Sequence, residues 1–280
     1  MRNALSVDVE DWFQVGAFER TIRREDWDGL ELRVERNTDA CIALFDAGGV
    51  KATFFTLGWV AARYPRLMRR IVDAGHEVAS HGWDHQRVFT MTPEQFRADL
   101  AKTRGVLEDA SGSAVTGYRA PSFSIDARTP WAHAVLAEEG YAYSSSVAPV
   151  KHDHYGMPDA PRFAWRPLSD SSLIELPPTI AKVMGRSVPT GGGFFRLFPQ
   201  ALTDVAVRSV NQREARPVVF YFHPWEIDPD QPRVADAPLK SKFRHYARLG
   251  AMKGKLAQLI AAYAWDRTDR VAMTEAARLA

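Results

Sequence analysis

Short segments rich in β-branched and aromatic residues recur along the whole chain and alternate with segments of helical periodicity. We interpret seven of them as strands: residues 4–9, 52–57, 77–80, 114–119, 141–144, 173–177 and 218–223. Buried parallel strands have this composition, and helices between them would cover the sheet. The alternation therefore predicts one α/β domain over residues 1–280, built as an open doubly wound sheet or as a closed barrel.

Three helices can be placed from their own signals. The helix over residues 92–108 opens with TPEQ, a capping box that has proline at the first helical position. A second helix begins after Pro199, and a third extends over residues 241–265; both carry a regular apolar stripe. The glycine-rich segment 191–199 lacks the Lys-Ser/Thr pair of a phosphate loop, so we expect a tight loop at a cleft edge.

Composition narrows the classes of function. With 36 Lys and Arg against 34 Asp and Glu, the net charge is +2, so no overall basic field favours nucleic acid or an anionic membrane. Cys41 is the only cysteine, which excludes an internal disulfide and a Cys-rich zinc site, and we predict that it fills the core. The chain shows neither a secretory signal nor a run of 18 apolar residues, so we expect a cytoplasmic protein without a transmembrane segment.

Three carboxylates lie at the end of the first predicted strand. The stretch SVDVEDWF contains Asp8, Glu10 and Asp11, although a buried charge without a partner is very costly. A metal ion would explain the cluster. Side-chain alternation puts Asp8 and Glu10 on one face, which favours Glu10 as a ligand, but Asp11 could take that place if the strand ends at Val9.

Two histidines follow the third predicted strand. The segment SHGWDH spaces His81 and His85 four residues apart, so on a helical turn both imidazoles could bind one ion at about 2.0 to 2.1 Å. Two histidines and one carboxylate leave coordination positions open for water, as in a catalytic site. Zinc, cobalt, nickel and iron all suit such ligands.

Further candidates follow later strands. Arg119, in RAPSF, is expected to hold Asp8 through two parallel hydrogen bonds. His223 ends the strongly apolar strand VVFYFH. Sugar rings stack on aromatic faces, so Trp225 together with Trp12, Phe13 and Phe123 could line a saccharide cleft. The candidate substrate contacts are Trp12, Pro121, Phe123 and Trp225.

Taken together, these motifs resemble the NodB-homology polysaccharide deacetylases. The four matching stretches are SVDVED, SHGWDH, RAP and YFH, in the family's order. The resemblance implies a distorted (β/α)7 barrel of the TIM type and a metal-dependent enzyme that removes N-acetyl groups from glycans. It implies that Asp8 is the catalytic base, His81 and His85 bind the metal, Arg119 orients the base and His223 is the general acid.

A narrower resemblance connects VDVEDWFQV, FYFHPWEIDPDQPR and KFRHY with the deacetylases of exosortase-linked exopolysaccharide loci. It implies a family-specific helical region from about residue 230, an N-acetylated glycan substrate and a divalent metal, for which zinc is our choice. One departure is that the family's fourth-motif aspartate is absent from residues 140–147, so the sequence identifies no group that raises the pKa of His223.

Three alternatives stay open at this point. A metal amidohydrolase could open a cyclic amide on the same scaffold. A glycan-binding module could keep the fold without turnover. A glycosidase could use Asp8 and Glu226 as its acid pair, although this leaves the two histidines unexplained.

Overall fold

The computed structural model describes residues 1–151 and 156–279. The strands of these residues are β1 Asn3–Val9, β2 Thr53–Thr56, β3 Glu77–Ser80, β4 Gly117–Tyr118, β5 Tyr143–Ser144, β6 Ile174–Glu175, β7 Ile180–Val183, β8 Arg186–Pro189, β9 Val219–Phe222 and β10 Trp265–Asp266. Their α-helices are α1 Val34–Ala47, α2 Gly58–Arg63, α3 Pro65–Asp73, α4 Pro93–Ser111, α5 Ala132–Glu138, α6 Gly192–Leu197, α7 Gln200–Arg208, α8 Leu239–Tyr246, α9 Leu249–Ala262 and α10 Thr268–Arg278.

Strand β1 is the centre of a curled parallel sheet. Residues 6–9 pair with β2, and residues 4–7 pair with β9, so these neighbours flank β1 on opposite sides. Strand β10 pairs with the first residues of β1, while β3, β4, β5 and β6 continue the sheet beyond β2. Because the strands are parallel, their carboxyl ends meet at one edge of the fold.

Hydrogen bonds from Thr179, just after β6, join the two ends of the sheet. Its backbone N–H donates to the carbonyl of Val219 over 3.0 Å, and its hydroxyl accepts the N–H of Val219 over 2.8 Å. The sheet therefore curls into a distorted barrel made of β1 to β6 and β9. All seven predicted strands are present, and the predicted α/β barrel class is confirmed.

Side-chain alternation on β1 separates two apolar layers. Leu5, Val7 and Val9 belong to the large core between the sheet and its covering helices, whereas Ala4 belongs to a smaller cluster inside the barrel. Asp8 has the same parity as Ala4, so it points inward. Cys41 is fully buried in the large core, as predicted.

Two local predictions were wrong, and two elements were not predicted. The predicted helix 241–265 consists of α8 and α9, which are separated at Arg248, where φ is +59°, and it ends in β10. Strand β10 was not predicted, because its two residues are too few to show the alternation of buried and exposed side chains that marks a strand. The predicted loop 191–199 contains α6, because Gly192 starts a short helical turn, and the hairpin β7–β8 was not predicted.

We predict that Thr179→Val lowers the free energy of unfolding by about 1 to 3 kcal/mol, because it leaves the buried N–H of Val219 without an acceptor. Urea denaturation measures this change. Thr274→Val, at an exposed position of α10, is the matched control and should change it by less than about 0.5 kcal/mol. Equal stability of the two variants would contradict the role of Thr179 in closing the sheet.

Candidate active site at the carboxyl ends of the strands

A cleft of about 400 Å³ opens where β1, β3 and β9 end. The residues that line its floor and walls include Asp8, Glu10, His81, His85, Ser122, Phe123, Tyr221, His223, Trp225 and Arg244. Most of the residues singled out from the sequence therefore meet in one cavity, although they come from strands far apart in the chain.

Three ligand-type side chains converge in the cleft. Glu10, His81 and His85 each place a ligand atom within 4.8 Å of the other two. Glu10 is 1% exposed, and its Oε2 lies 3.0 Å from Nε2 of His85 yet has no hydrogen-bond donor among the described residues. A buried carboxylate oxygen without a donor is costly, and a divalent cation bound by these three residues would satisfy it.

His81 is prepared to bind a metal through one particular nitrogen. Its Nδ1 lies 2.8 Å from the backbone carbonyl of Arg119, which can only accept, so Nδ1 carries the proton and Nε2 keeps its lone pair. Burial lowers the pKa of His81 to about 4, so the imidazole is neutral at physiological pH.

The loop that carries His85 differs from the predicted helical turn. Residues 81–87 form no helix, and left-handed φ values of +74° at Gly82 and +62° at His85 turn the chain instead. The two imidazole centres are 5.5 Å apart. A positive φ at a residue other than glycine costs about 1 to 3 kcal/mol, and such strain is concentrated at functional sites.

Asp11 is directed away from the imidazoles. Its carboxylate accepts backbone N–H groups of Trp12, Arg33 and Val34 at 2.8 to 3.0 Å, so it caps the start of α1. Burial raises the pKa of Asp11 to about 6 although these three donors oppose the shift. Successive side chains of an extended chain diverge, so of the two candidate third ligands the structure brings only Glu10 to the histidines.

Arg119 holds Asp8 inside the barrel. Both side chains are buried, and Nη1 donates to Oδ1 of Asp8 over 2.6 Å and to the hydroxyl of Ser6 over 2.8 Å. Nε and Nη2 donate to Ser145, at 3.2 and 2.9 Å. The predicted pair of parallel bonds to Asp8 is therefore wrong: the guanidinium divides its donors between two strand ends.

His223 has the charge partner that the sequence did not identify. Its Nδ1 lies 2.8 Å from Oε1 of Glu226, and Nη1 of Arg196 donates to Oε2 of the same buried carboxylate over 2.8 Å. Burial opposes the charged imidazole, but the negative charge of Glu10 and the hydrogen bond to Glu226 raise the pKa of His223 to about 9. His223 is thus an imidazolium at neutral pH.

The sequence held a signal for Glu226 but none for Arg196. A carboxylate three residues after a histidine in HPWE can fold back onto it across one turn. Arg196 reaches the pair because α6 lies against β9. A Cβ at Gly191 would come within 2.6 Å of the carbonyl oxygen of Tyr221, so this approach requires glycine.

Trp225 lines the cleft, but a sugar ring cannot stack on it. One face lies 4.1 Å from the ring centre of His245 and the other 5.2 Å from that of His223, both nearly parallel. Its Nε1 donates to Oε1 of Glu10 over 3.3 Å. The prediction of a sugar platform here is wrong, because Trp225 positions the candidate metal ligand instead.

The other three predicted substrate contacts have different locations. Phe123 lines the cleft. Trp12 is buried in the large core, and its indole N–H donates to the carbonyl of Glu31 over 3.0 Å. Pro121 is buried beside Gly82 and does not line the cleft. Only Phe123 is therefore a candidate sugar contact.

Two family models match consecutive parts of this chain. Residues 27–143 match the model of the polysaccharide deacetylases, and residues 145–273 match a domain of unknown function, DUF3473. Residues 27–143 are therefore similar to polysaccharide deacetylases. The region that matches the deacetylases supplies β2 to β4, and the DUF3473 region supplies β6, β9 and β10 to the same sheet, with β5 at the boundary between them. The prediction of one domain over residues 1–280 stays a prediction.

Curated relatives of this chain are named as peptidoglycan or chitin deacetylases. The chain is 34% identical over 106 residues to a peptidoglycan deacetylase of Helicobacter pylori, covering 38% of this chain and 35% of that protein. It is 31% identical over 91 residues to chitin deacetylase 1 of Cryptococcus neoformans, covering 32% of this chain and 19% of that protein. The chain thus matches about a third or less of the length of these relatives.

Two solved structures share the fold of this chain. A Mycobacterium smegmatis protein described as a polysaccharide deacetylase aligns with a TM-score of 0.65 at 20% identity, covering 100% of this chain and 92% of that one. An allantoinase aligns with a TM-score of 0.63 at 15% identity, covering 98% and 89%. At these identities the likeness concerns the fold alone. Among the described residues, no helix is long and apolar enough to cross a bilayer.

We predict that Asp11→Ala lowers the free energy of unfolding by about 2 kcal/mol, because two backbone donors at the start of α1 and the N–H of Trp12 lose a charged acceptor. Chemical denaturation gives the value. The control is Asp46→Ala, an exposed acid at the end of the same helix, for which we expect less than about 0.5 kcal/mol. An Asp11 variant as stable as the control would show that the cap is unimportant.

Proposed function

We propose that this chain is a metal-dependent hydrolase that removes N-acetyl groups from the sugars of a polysaccharide or its precursor. The observation that carries the proposal is the convergence of Glu10, His81 and His85 beside Asp8 and His223 in one cleft. The resemblance to exosortase-linked deacetylases supports a role in exopolysaccharide biosynthesis. Wall polymers named for the curated relatives are the other class of acceptor.

The donor set favours zinc among the divalent metals. Glu10, His81 and His85 offer one oxygen and two nitrogens, the ligand types of catalytic zinc sites. When bound, such an ion polarises a carbonyl oxygen and lowers the pKa of water. The indole of Trp225 donates a hydrogen bond to Glu10, and the carbonyl of Arg119 accepts one from His81. Outer hydrogen-bond partners orient the ligands of metal sites in this way.

Asp8 is the proposed general base. It faces the cleft next to the trio, and the guanidinium of Arg119 holds it in one orientation by a charge-assisted hydrogen bond. A base must lie within hydrogen-bond reach of the water whose proton it takes. Asp8 would accept that proton as the water attacks the acetyl carbonyl.

His223 is the proposed general acid. Glu226 occupies Nδ1, so the proton available to the substrate is on Nε2, which faces the cleft and lies 3.6 Å from Oε1 of Glu10. That proton would pass to the sugar nitrogen as the amide C–N bond breaks, leaving acetate and a free amine. Deacetylation thus needs a base and an acid, the roles that we propose for Asp8 and His223.

The structure bears on the rival activities to different extents. Glu226 is fully buried between Arg196 and His223, so it cannot protonate a glycosidic oxygen, and the glycosidase alternative loses its acid. The charged His223 argues against a module that only binds glycans. Opening of a cyclic amide needs the same base and metal and is the second candidate.

We predict that Glu10→Gln and His85→Ala each lower zinc affinity by more than about 100-fold, because loss of outer-shell partners alone costs 10- to 100-fold. Elemental analysis after dialysis gives the metal content. Acetate release from an N-acetylglucosamine oligomer, compared with ring opening of a small imide, gives the activity and separates the two candidates.

Two variants control this experiment. Asp11→Asn and His133→Ala change the same residue types outside the trio, and both should keep the metal and the activity. Loss of zinc from the Asp11 variant, with retention of zinc by the Glu10 variant, would show that Asp11 and not Glu10 is the third ligand. Full activity of His85→Ala without bound metal would remove the metal from the mechanism.

The pH dependence tests the acid. An imidazolium with a pKa of about 9 donates its proton below that pH, so kcat/KM should fall as pH rises through about 9. Glu226→Gln removes a negative charge at 2.8 Å, so this limb should move about 1 to 3 pH units lower. Glu214→Gln, which alters a remote ion pair with Arg162, should leave it unchanged. An unmoved limb in Glu226→Gln would exclude His223 as the titrating acid.

A further inference from the structure

Helix α8 presents two large apolar side chains to solvent beside the cleft. Leu239 is 82% exposed and Phe243 is 65% exposed. They are four residues apart on one helix, so they lie on the same face and form a ridge. Large apolar side chains gain little from such exposure, and adjacent ones are typical of an interaction surface.

Basic side chains flank this ridge on both sides. At 100° per residue, Lys240 and Arg244 lie on one side of the ridge and Lys242 lies on the other, and Arg244 also lines the cleft. Lys240 and Arg244 are exposed. The apolar ridge is thus bordered by cations, in the order expected of a helix that lies at a lipid surface.

The charge of this region differs from that of the whole chain. Residues 237–264 contain six Lys and Arg and no acidic residue, whereas the net charge of the chain is only +2. The rest of the molecule is therefore net negative. Among the described residues, no ion pair neutralises Arg244 or Arg248, so their charge is available to an anionic partner.

We propose that α8 docks on a bilayer that contains anionic phospholipid, with Leu239 and Phe243 inserted between the headgroups. A second copy of the chain fits less well, because two such surfaces would bring like charges together. Ser241 and Arg244 of the same helix line the cleft, so docking would bring the cleft close to the membrane surface. The proposal is independent of the reaction that the cleft catalyses.

Vesicle sedimentation tests the proposal without turnover. The full chain should bind vesicles of phosphatidylcholine with about 30 mol% phosphatidylglycerol, and it should bind vesicles of pure phosphatidylcholine far less. Each basic residue near an anionic surface raises the partition coefficient about 5-fold. Binding should weaken as salt is raised to about 0.5 M, where the Debye length is a few ångströms. Absence of binding to the anionic vesicles would overturn the proposal.

Matched variants locate the surface. Leu239→Ser with Phe243→Ser should lower the partition coefficient at least about 10-fold, because two apolar side chains no longer enter the lipid. Met273→Ser, at a position on α10 that is 73% exposed, should leave it unchanged. Unchanged thermal unfolding of the double variant would show that it folds. Equal binding by the double variant and the wild type would overturn the assignment to α8.

Discussion

The buried guanidinium of Arg119 is the interaction on which the rest of the site depends. Its side chain contacts β1 through Ser6 and Asp8 and the end of β5 through Ser145, while its backbone carbonyl fixes His81 after β3. A buried cation must be matched by acceptors on several sides, and those acceptors come from separate strands. The same requirement therefore closes the barrel interior and sets the positions of the proposed base and of one candidate metal ligand.

A second buried ion pair performs the corresponding task on the other side of the cleft. Arg196 and Glu226 hold His223, while Trp225 links His245 of α8 to Glu10. The groups that fix the acid come from the DUF3473 region, and the histidine ligands come from the deacetylase region. The first strand, with Asp8 and Glu10, precedes both matched regions. The cleft is thus assembled from three parts of the chain.

Much of this arrangement could be predicted from the sequence, because strand ends of a parallel sheet converge and the reactive residues follow strands. Alternation along β1 favours Glu10 over Asp11 as the ligand, and the structure brings Glu10 to the histidines although the strand ends at Val9. The sequence could not reveal Arg196, since its contact with Glu226 depends on how closely α6 packs on β9. It also misassigned Trp225, because aromatic composition does not show which ring faces neighbouring side chains already cover.

The net charge of the whole chain also did not reveal that basic residues are concentrated in one region. The whole-chain value concealed a basic stretch around α8, and only the exposure of Leu239 and Phe243 gave that stretch a physical meaning.

The stacked rings of His223, Trp225 and His245 limit how this chain can be divided into fragments. They connect an outer helix with the carboxylate of Glu10 at the centre of the cleft and support that carboxylate. A fragment limited to residues 27–143 would lack the proposed proton donor, its counter-ion and that support. Both family regions therefore contribute side chains to the cleft, and a chimera in which only one region comes from another protein should lose its arrangement.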